Sequence, residues 1–169
     1  MNAALPQRIT TDQKDNKSAS AWILKVSEQH SVAISQYEMN HIEDSGEFYK
    51  IPKAPAWCDN IMLWKNQIVP VIDFTQLLSD KTLLETANKQ SSMVAIIRLF
   101  YGTDKVASYG AIKILQPPVL EGVQNHQACQ KEDIPNQLSD VSLAAFKYQE
   151  QAVVPILDIQ KIFSGAVKE

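Results

Sequence analysis

One phrase occurs twice in this chain. IVPVIDF spans residues 68–74 and VVPILDI spans 153–159, with Pro70 and Pro155 standing 85 residues apart (155 − 70). A repeat of that length, in two copies, excludes a short-period solenoid. The echo extends upstream. WILKV (22–26) resembles AIIRL (95–99), with a basic residue at the same place, and HSVAIS (30–35) resembles SYGAIK (108–113). Each half therefore reads as an apolar strand, a second strand and a P-x-x-D strand, so the chain folds as two similar subdomains. Proline cannot donate to a ladder, so Pro70 and Pro155 mark an edge or a bulge. The unalternating apolar residues 68, 69, 71 and 72 predict a strand covered on both faces. Asp73 and Asp158 end their strands and start helical turns. Asp73 with Gln76 completes a capping box, whereas the second copy has Lys161 in that place and keeps only the aspartate. Equivalent positions in separate repeats make caps of these carboxylates rather than a catalytic acid pair.

Short strand-like segments fill the rest: WILKV (22–26), SVAIS (31–35), IMLW (61–64), residues 68–74, MVAIIRLF (93–100), ASYGAIKIL (107–115), LAAFKY (143–148) and residues 153–159. They are rich in β-branched and aromatic residues, with turn formers between them, which predicts barrels or sandwiches over a helix-covered parallel sheet. A helix is expected over residues 80–90, and 124–140 reads as a long polar connection. Residues 1–19 are polar and aperiodic and read as a disordered tail, with structure starting at Trp22. The folded part, 20–166, divides into a first subdomain over about 20–90 and a second over about 91–166, with interleaving of their strands left open. Trp22 is expected in the core, and Trp64 in the core or at a partner surface.

Composition closes off other function classes. The 169 residues are 45% hydrophobic, enough for one core, and the net charge is −3 with the basic residues scattered singly. That charge pattern opposes nucleic-acid binding and an anionic membrane surface. No apolar run approaches the roughly 18 residues of a membrane span. The N-terminus lacks a signal-peptide core, and two cysteines are too few for a disulfide framework, so a reduced, cytoplasmic protein is expected. The five glycines are dispersed, which excludes phosphate-cradling loops. No metal site is expected: His126 and Cys129 form an H-x-x-C pair without a second pair to complete a zinc site. The acidic stretch of His41, Glu43, Asp44 and Glu47 reads as a solvated loop. Cys58 shows no base and orienting group around it. An enzyme using Cys58 or His126/Cys129 is the alternative reading, and no catalytic residues or cofactors are assigned.

The segments WILKV…SVAIS, IPKAPAWCDNIMLWKNQIVPVIDFTQLL (51–78) and VVPILDIQKIF together resemble the CheW-like adaptors of bacterial chemosensory systems. The resemblance runs over about residues 20–166. The family turn reads G-[VI]-x-N-L-R-G before its [VI]-P-[VI]-[VI]-D-[LF] strand. Here Asn60 replaces the leading glycine, Leu63 the asparagine, and Lys65–Asn66 the Arg-Gly pair. Lysine keeps the charge but not the planar fork, and Asn66 tolerates a left-handed turn.

The resemblance implies a mainly β fold of two SH3-like five-stranded β-barrel subdomains packed on a shared core, with few short helices. It implies a non-enzymatic adaptor that couples chemoreceptors to a histidine kinase. The implied partners are the kinase's CheA-like regulatory domain and the cytoplasmic tip of a chemoreceptor, the latter a helical element suited to a groove between the barrels. The altered turn points toward the divergent members that serve type IV pilus (twitching) motility. By motif position, the strand Tyr37–His41 and the turn Asn60–Asn66 are the expected contact surfaces. Tyr37, Met39, His41, Asn60, Lys65 and Asn66 are the candidate partner-binding residues, against the plainer reading that they are ordinary surface positions.

Overall fold

The computed structural model describes residues 18–78, 93–99 and 107–165. Eleven strands and three short helices follow in order. The first half holds β1 (Ser18–Lys25), β2 (Ser31–Ser35), β3 (Met39–Glu43), β4 (Tyr49–Lys50), β5 (Asn60–Trp64), β6 (Gln67–Ile72) and α1 (Phe74–Leu78). The second half holds β7 (Val94–Leu99), β8 (Ser108–Lys113), β9 (Val119–Gln124), α2 (Asn136–Ser139), β10 (Ser142–Tyr148), β11 (Ala152–Leu157) and α3 (Ile159–Phe163). Each of the eight expected segments holds a strand, β9 was not anticipated, and the strand expected over Tyr37–His41 runs instead from Met39 to Glu43, with Tyr37 in the turn before it. β1 begins at Ser18, paired with Gln124, four residues before Trp22, so Ser18 and Ala19 belong to the sheet rather than to a tail. The remaining tail and the helix expected over 80–90 lie outside the described residues.

The strands form two curled sheets, β10-β11-β2-β1-β9 and β3-β7-β8-β6-β5-β4. The two-residue β4 makes the second sheet six-stranded rather than five. The sheets do not divide the chain at residue 90. β1 and β2 join the last three strands of the second half, and β7 and β8 join the last four of the first. Each P-x-x-D strand thus lies parallel to the second strand of the other half: Val71 opposite Ala111 and Ile72 opposite Ile112 in one sheet, Ile156 opposite Ala33 in the other. The repeat therefore brings Asp73 beside Lys113 and Asp158 beside Ser35, the last residues of β8 and β2.

Buried side chains fall into three clusters. Met62, Trp64, Val69, Val71, Val94, Ile96 and Ala111 fill the inside of the second sheet. Ala21, Ile23, Ala33, Phe146 and Val154 fill the first. The largest cluster joins the two sheets and takes Leu24, Val32, Ile34, Ile72, Ala95, Ile97 and Ile112 from strands and Phe74, Leu138, Ile159 and Ile162 from helices. β7 feeds both sides, with Val94 and Ile96 inward and Ala95, Ile97 and Leu99 toward the other sheet, which is why it is apolar throughout except at the exposed Arg98.

Two sequence expectations are corrected. Ile68 is 72% exposed, so β6 is covered on both faces only from Val71 onward. The outer face of the β5–β6 hairpin has no layer over it among the described residues, and Ile68 lies opposite Leu63, itself 62% exposed. The segment 124–140 is not a loose connection. It contains two 3-10 turns and α2, and it buries Ile134 and Leu138 in the joint core. Its Cys129 N–H donates to Ala145 and Ala128 bridges Phe146, closing the edge of β10.

The aspartates behave as caps. Asp158 accepts from the Lys161 N–H at 3.0 Å. Asp73 accepts from the Thr75 N–H and hydroxyl and takes an ion pair with Lys113 at 3.3 Å.

Candidate partner-binding surfaces

The six candidate residues separate into three places. At the open end of the second sheet, the hairpin turn places Lys65 (φ 47°) and Asn66 (φ 62°) both in the left-handed region. That is the two-residue turn whose twist matches a hairpin, so Asn66 takes the turn as expected and Lys65 does so against its steric preference. The Lys65 ammonium stands 4.5 Å from the centroid of the Trp64 ring. Trp64 meets Tyr109 edge-on at 4.9 Å and lies 6.2 Å from His41, whose Nε2 is 3.8 Å from Glu43. His41, Glu43, Glu47, Tyr49, Leu63 and Lys65 rim a cleft of ≈ 550 Å³ with Trp64 and Met62 in its wall. Trp64 is thus a core residue with a face toward this cleft.

Tyr37 and Met39 lie elsewhere. Tyr37 is 76% exposed at the β2–β3 turn. Met39, like Trp22 and Ile42, is partly buried and packs against the core joining the sheets. A register shift between Met39 and His41 turns these two toward different surroundings. Asn60, at the far end of β5, donates to Asp59, which pairs with Lys50. It is not part of the cleft.

Leu63 and Glu38 lie within the surfaces expected from sequence but were not singled out there, and Ile68 was read as covered. Leu63 carried a signal, an apolar residue at the family's asparagine position. Glu38 folds back so that its carboxylate accepts from the Ser35 N–H at 2.8 Å, while its carbonyl accepts from the Arg98 N–H. Burial pushes its pKa upward, opposed by the Ser35 hydrogen bond and reinforced by the Asp158 charge. The short spacing Ser35 to Glu38 was its only trace.

The catalytic alternatives do not assemble. The described residues bury no charged or polar side chain fully and contain no group of three metal-ligating residues. His126 sits in an exposed turn. The Cys129 thiol lies 3.9 Å from the Gln127 carbonyl and is pushed up by burial and then by Asp133, the opposite of an activated thiolate. Neither Cys58 nor Cys129 is in a disulfide, and both pack against the joint core. No helix among the described residues is long and apolar enough to cross a membrane.

The molecule is thus a mainly β protein of two curled sheets on a shared core, with exposed apolar side chains at Tyr37, Leu63 and Ile68. The CheW-like domain family model matches residues 20–167, and the chain belongs to that family, whose members are non-enzymatic scaffold proteins of chemosensory signalling. Its fold is similar to that of the scaffolding protein TtCheW from Thermoanaerobacter tengcongensis, with a TM-score of 0.64 at 12% identity, over 90% of this chain and 97% of that one. A search of curated proteins returned no match.

Proposed function

We propose that this scaffold couples a chemoreceptor tip to a CheA-like histidine kinase in the cytoplasm, using two separate surfaces. The observation that supports the reading is the open end of the second sheet. There the Lys65–Asn66 turn, the Trp64 cleft and the exposed Leu63–Ile68 pair form an apolar centre with a charged rim, the usual anatomy of a protein interface. The kinase's regulatory domain docks here, with Lys65 facing an acidic residue. The helical receptor tip docks over the β2–β3 turn, with its apolar side against exposed Tyr37 and partly buried Met39.

The test is calorimetric titration of the chain with the regulatory domain of the chemosensory kinase from the same cell. Lys65→Glu should weaken binding roughly tenfold or more, about 1.4 kcal/mol. Undiminished binding by that variant would move the kinase surface elsewhere. The unusual turn makes the kinase of a type IV pilus system the second titrant: tighter binding there than to a flagellar kinase would assign the chain to twitching motility.

A further inference from the structure

The two halves treat their P-x-x-D carboxylates in opposite ways. In the first copy, the register of β6 on β8 places Asp73 beside Lys113, and the ammonium meets the carboxylate at 3.3 Å. In the second copy, the same register of β11 on β2 places Asp158 beside Ser35. Serine supplies no cation. The carboxylate of Glu38 comes instead, drawn back onto the Ser35 N–H at 2.8 Å. One repeat has a closed ion pair where the other has two carboxylates near enough for the Asp158 charge to act on Glu38.

Neither carboxylate makes an ion pair with any described residue. The nearest basic residues along the backbone are Arg98, whose N–H donates to the Glu38 carbonyl, and Lys161, whose N–H donates to Asp158. Neither side chain forms an ion pair among the described residues. Glu38 is half-buried, so holding its charge beside Asp158 costs free energy that a cation would offset. A metal ion fits poorly, because hard cations want six or more oxygen ligands and no third metal-ligating residue joins the pair among the described residues. The surroundings suit a protein side chain. Tyr37 projects beside Glu38, and Met39 and Trp22 line the core joining the sheets.

We propose that Glu38 and Asp158 seat one basic side chain, arginine or lysine, of the helical partner that docks over the β2–β3 turn. This rests on the receptor-coupling reading above and specifies its chemistry. The partner's cation takes in the second repeat the place that Lys113 holds in the first. The partner helix carries it within a turn of the apolar residues that meet Tyr37 and Met39.

Ser35→Lys is the decisive variant, because it supplies in cis the ammonium that Lys113 supplies to Asp73. Without any partner, Ser35→Lys should melt several degrees higher than the uncharged control Ser35→Gln, and the difference should shrink in about 1 M NaCl. Titrated with a coiled-coil fragment of the receptor tip from the same cell, Ser35→Lys and Glu38→Gln should each bind roughly tenfold or more weakly than the unaltered chain. Their binding to the kinase regulatory domain should change less than about twofold. A Ser35→Lys melting point no higher than that of Ser35→Gln, or tip binding untouched in both variants, overturns the carboxylate seat and leaves the coupling reading standing. An unaltered chain that binds the kinase domain but not the tip overturns the seat and the receptor half of that reading. Failure to bind either partner overturns both.

Discussion

The ring of Phe163 lies over Gly110: a Cβ built on that glycine would stand 2.3 Å from the ring's Cε1. This contact ties α3, at the end of the second repeat, to β8 of the other sheet. The repeat explains the pairing. Gly110 corresponds to Val32, and Phe163 to Leu78, so the smaller strand residue is matched with the larger helix residue. Gly110→Ala should cost about 1–3 kcal/mol by overpacking, read from urea denaturation. Adding Phe163→Leu should recover part of that loss. Full additivity of the two changes would show that the contact is not shared.

The Asp73–Lys113 pair is mostly shielded, with side chains 14% and 11% exposed, and the ammonium also lies 4.7 Å over the Phe48 ring. Removing one member of a shielded pair strands the other charge. Lys113→Met should destabilise by ~3 kcal/mol, with Asp73→Asn alone costing less than the sum expected from ion pair and cap, because the asparagine still accepts from Thr75. Equal denaturation midpoints for Lys113→Met and the parent chain would refute the stranded charge.

Glu150 and Gln151 both have positive φ, 47° and 69°, in the β10–β11 hairpin. Neither residue favours that region, which costs roughly 1–2 kcal/mol per ordinary residue. Replacing them with Asn-Gly supplies the preferred pair for such a turn. The double substitution should raise stability by about 1–2 kcal/mol, and an unchanged or lowered thermal midpoint would contradict the strain.

His30 titrates below its ordinary value, first through burial and second through the Lys25 charge. Its ring lies 3.1 Å from the Ser27 hydroxyl. Between the lowered folded value and the ordinary value near 6.5, the unfolded chain binds more protons than the folded one. Stability contributed by neutral His30 is therefore present above about pH 6.5 and lost as pH falls through that window. Chemical denaturation at pH 7.5 and pH 5 should show a smaller drop for His30→Gln than for the parent chain. An identical drop would locate the acid sensitivity in other groups.

Period and turn chemistry were legible where one surface decides a residue's place. Trp22, the strands around Val32 and Ile96, and the caps at Asp73 and Asp158 follow from local pattern alone. Ile68 did not, because an apolar residue beside three others reads as covered, and only the curl of the sheet shows that its side faces outward. Glu38 was illegible for a different reason. Its significance depends on Asp158, 120 residues away (158 − 38), and on a parallel register that no local motif encodes. The division of the candidate residues was equally hidden: His41 and Met39 are two apart, and a bulge sends them to different surfaces. The exchange of strand pairs between the halves was beyond the repeat itself, which reports the order of the strands and not which copy they join.

That exchange governs how the chain comes into being. During synthesis β1 and β2 emerge long before β9, β10 and β11, since the sheet they share needs strands as far along as Leu157. Nascent β1–β2 is an apolar hairpin awaiting its partners, so neither sheet acts as an early folding nucleus complete in itself. Cleavage between Leu78 and Met93 would not release two domains. It would leave two interlocked fragments, each holding part of both sheets, that survive only as a complex with one another.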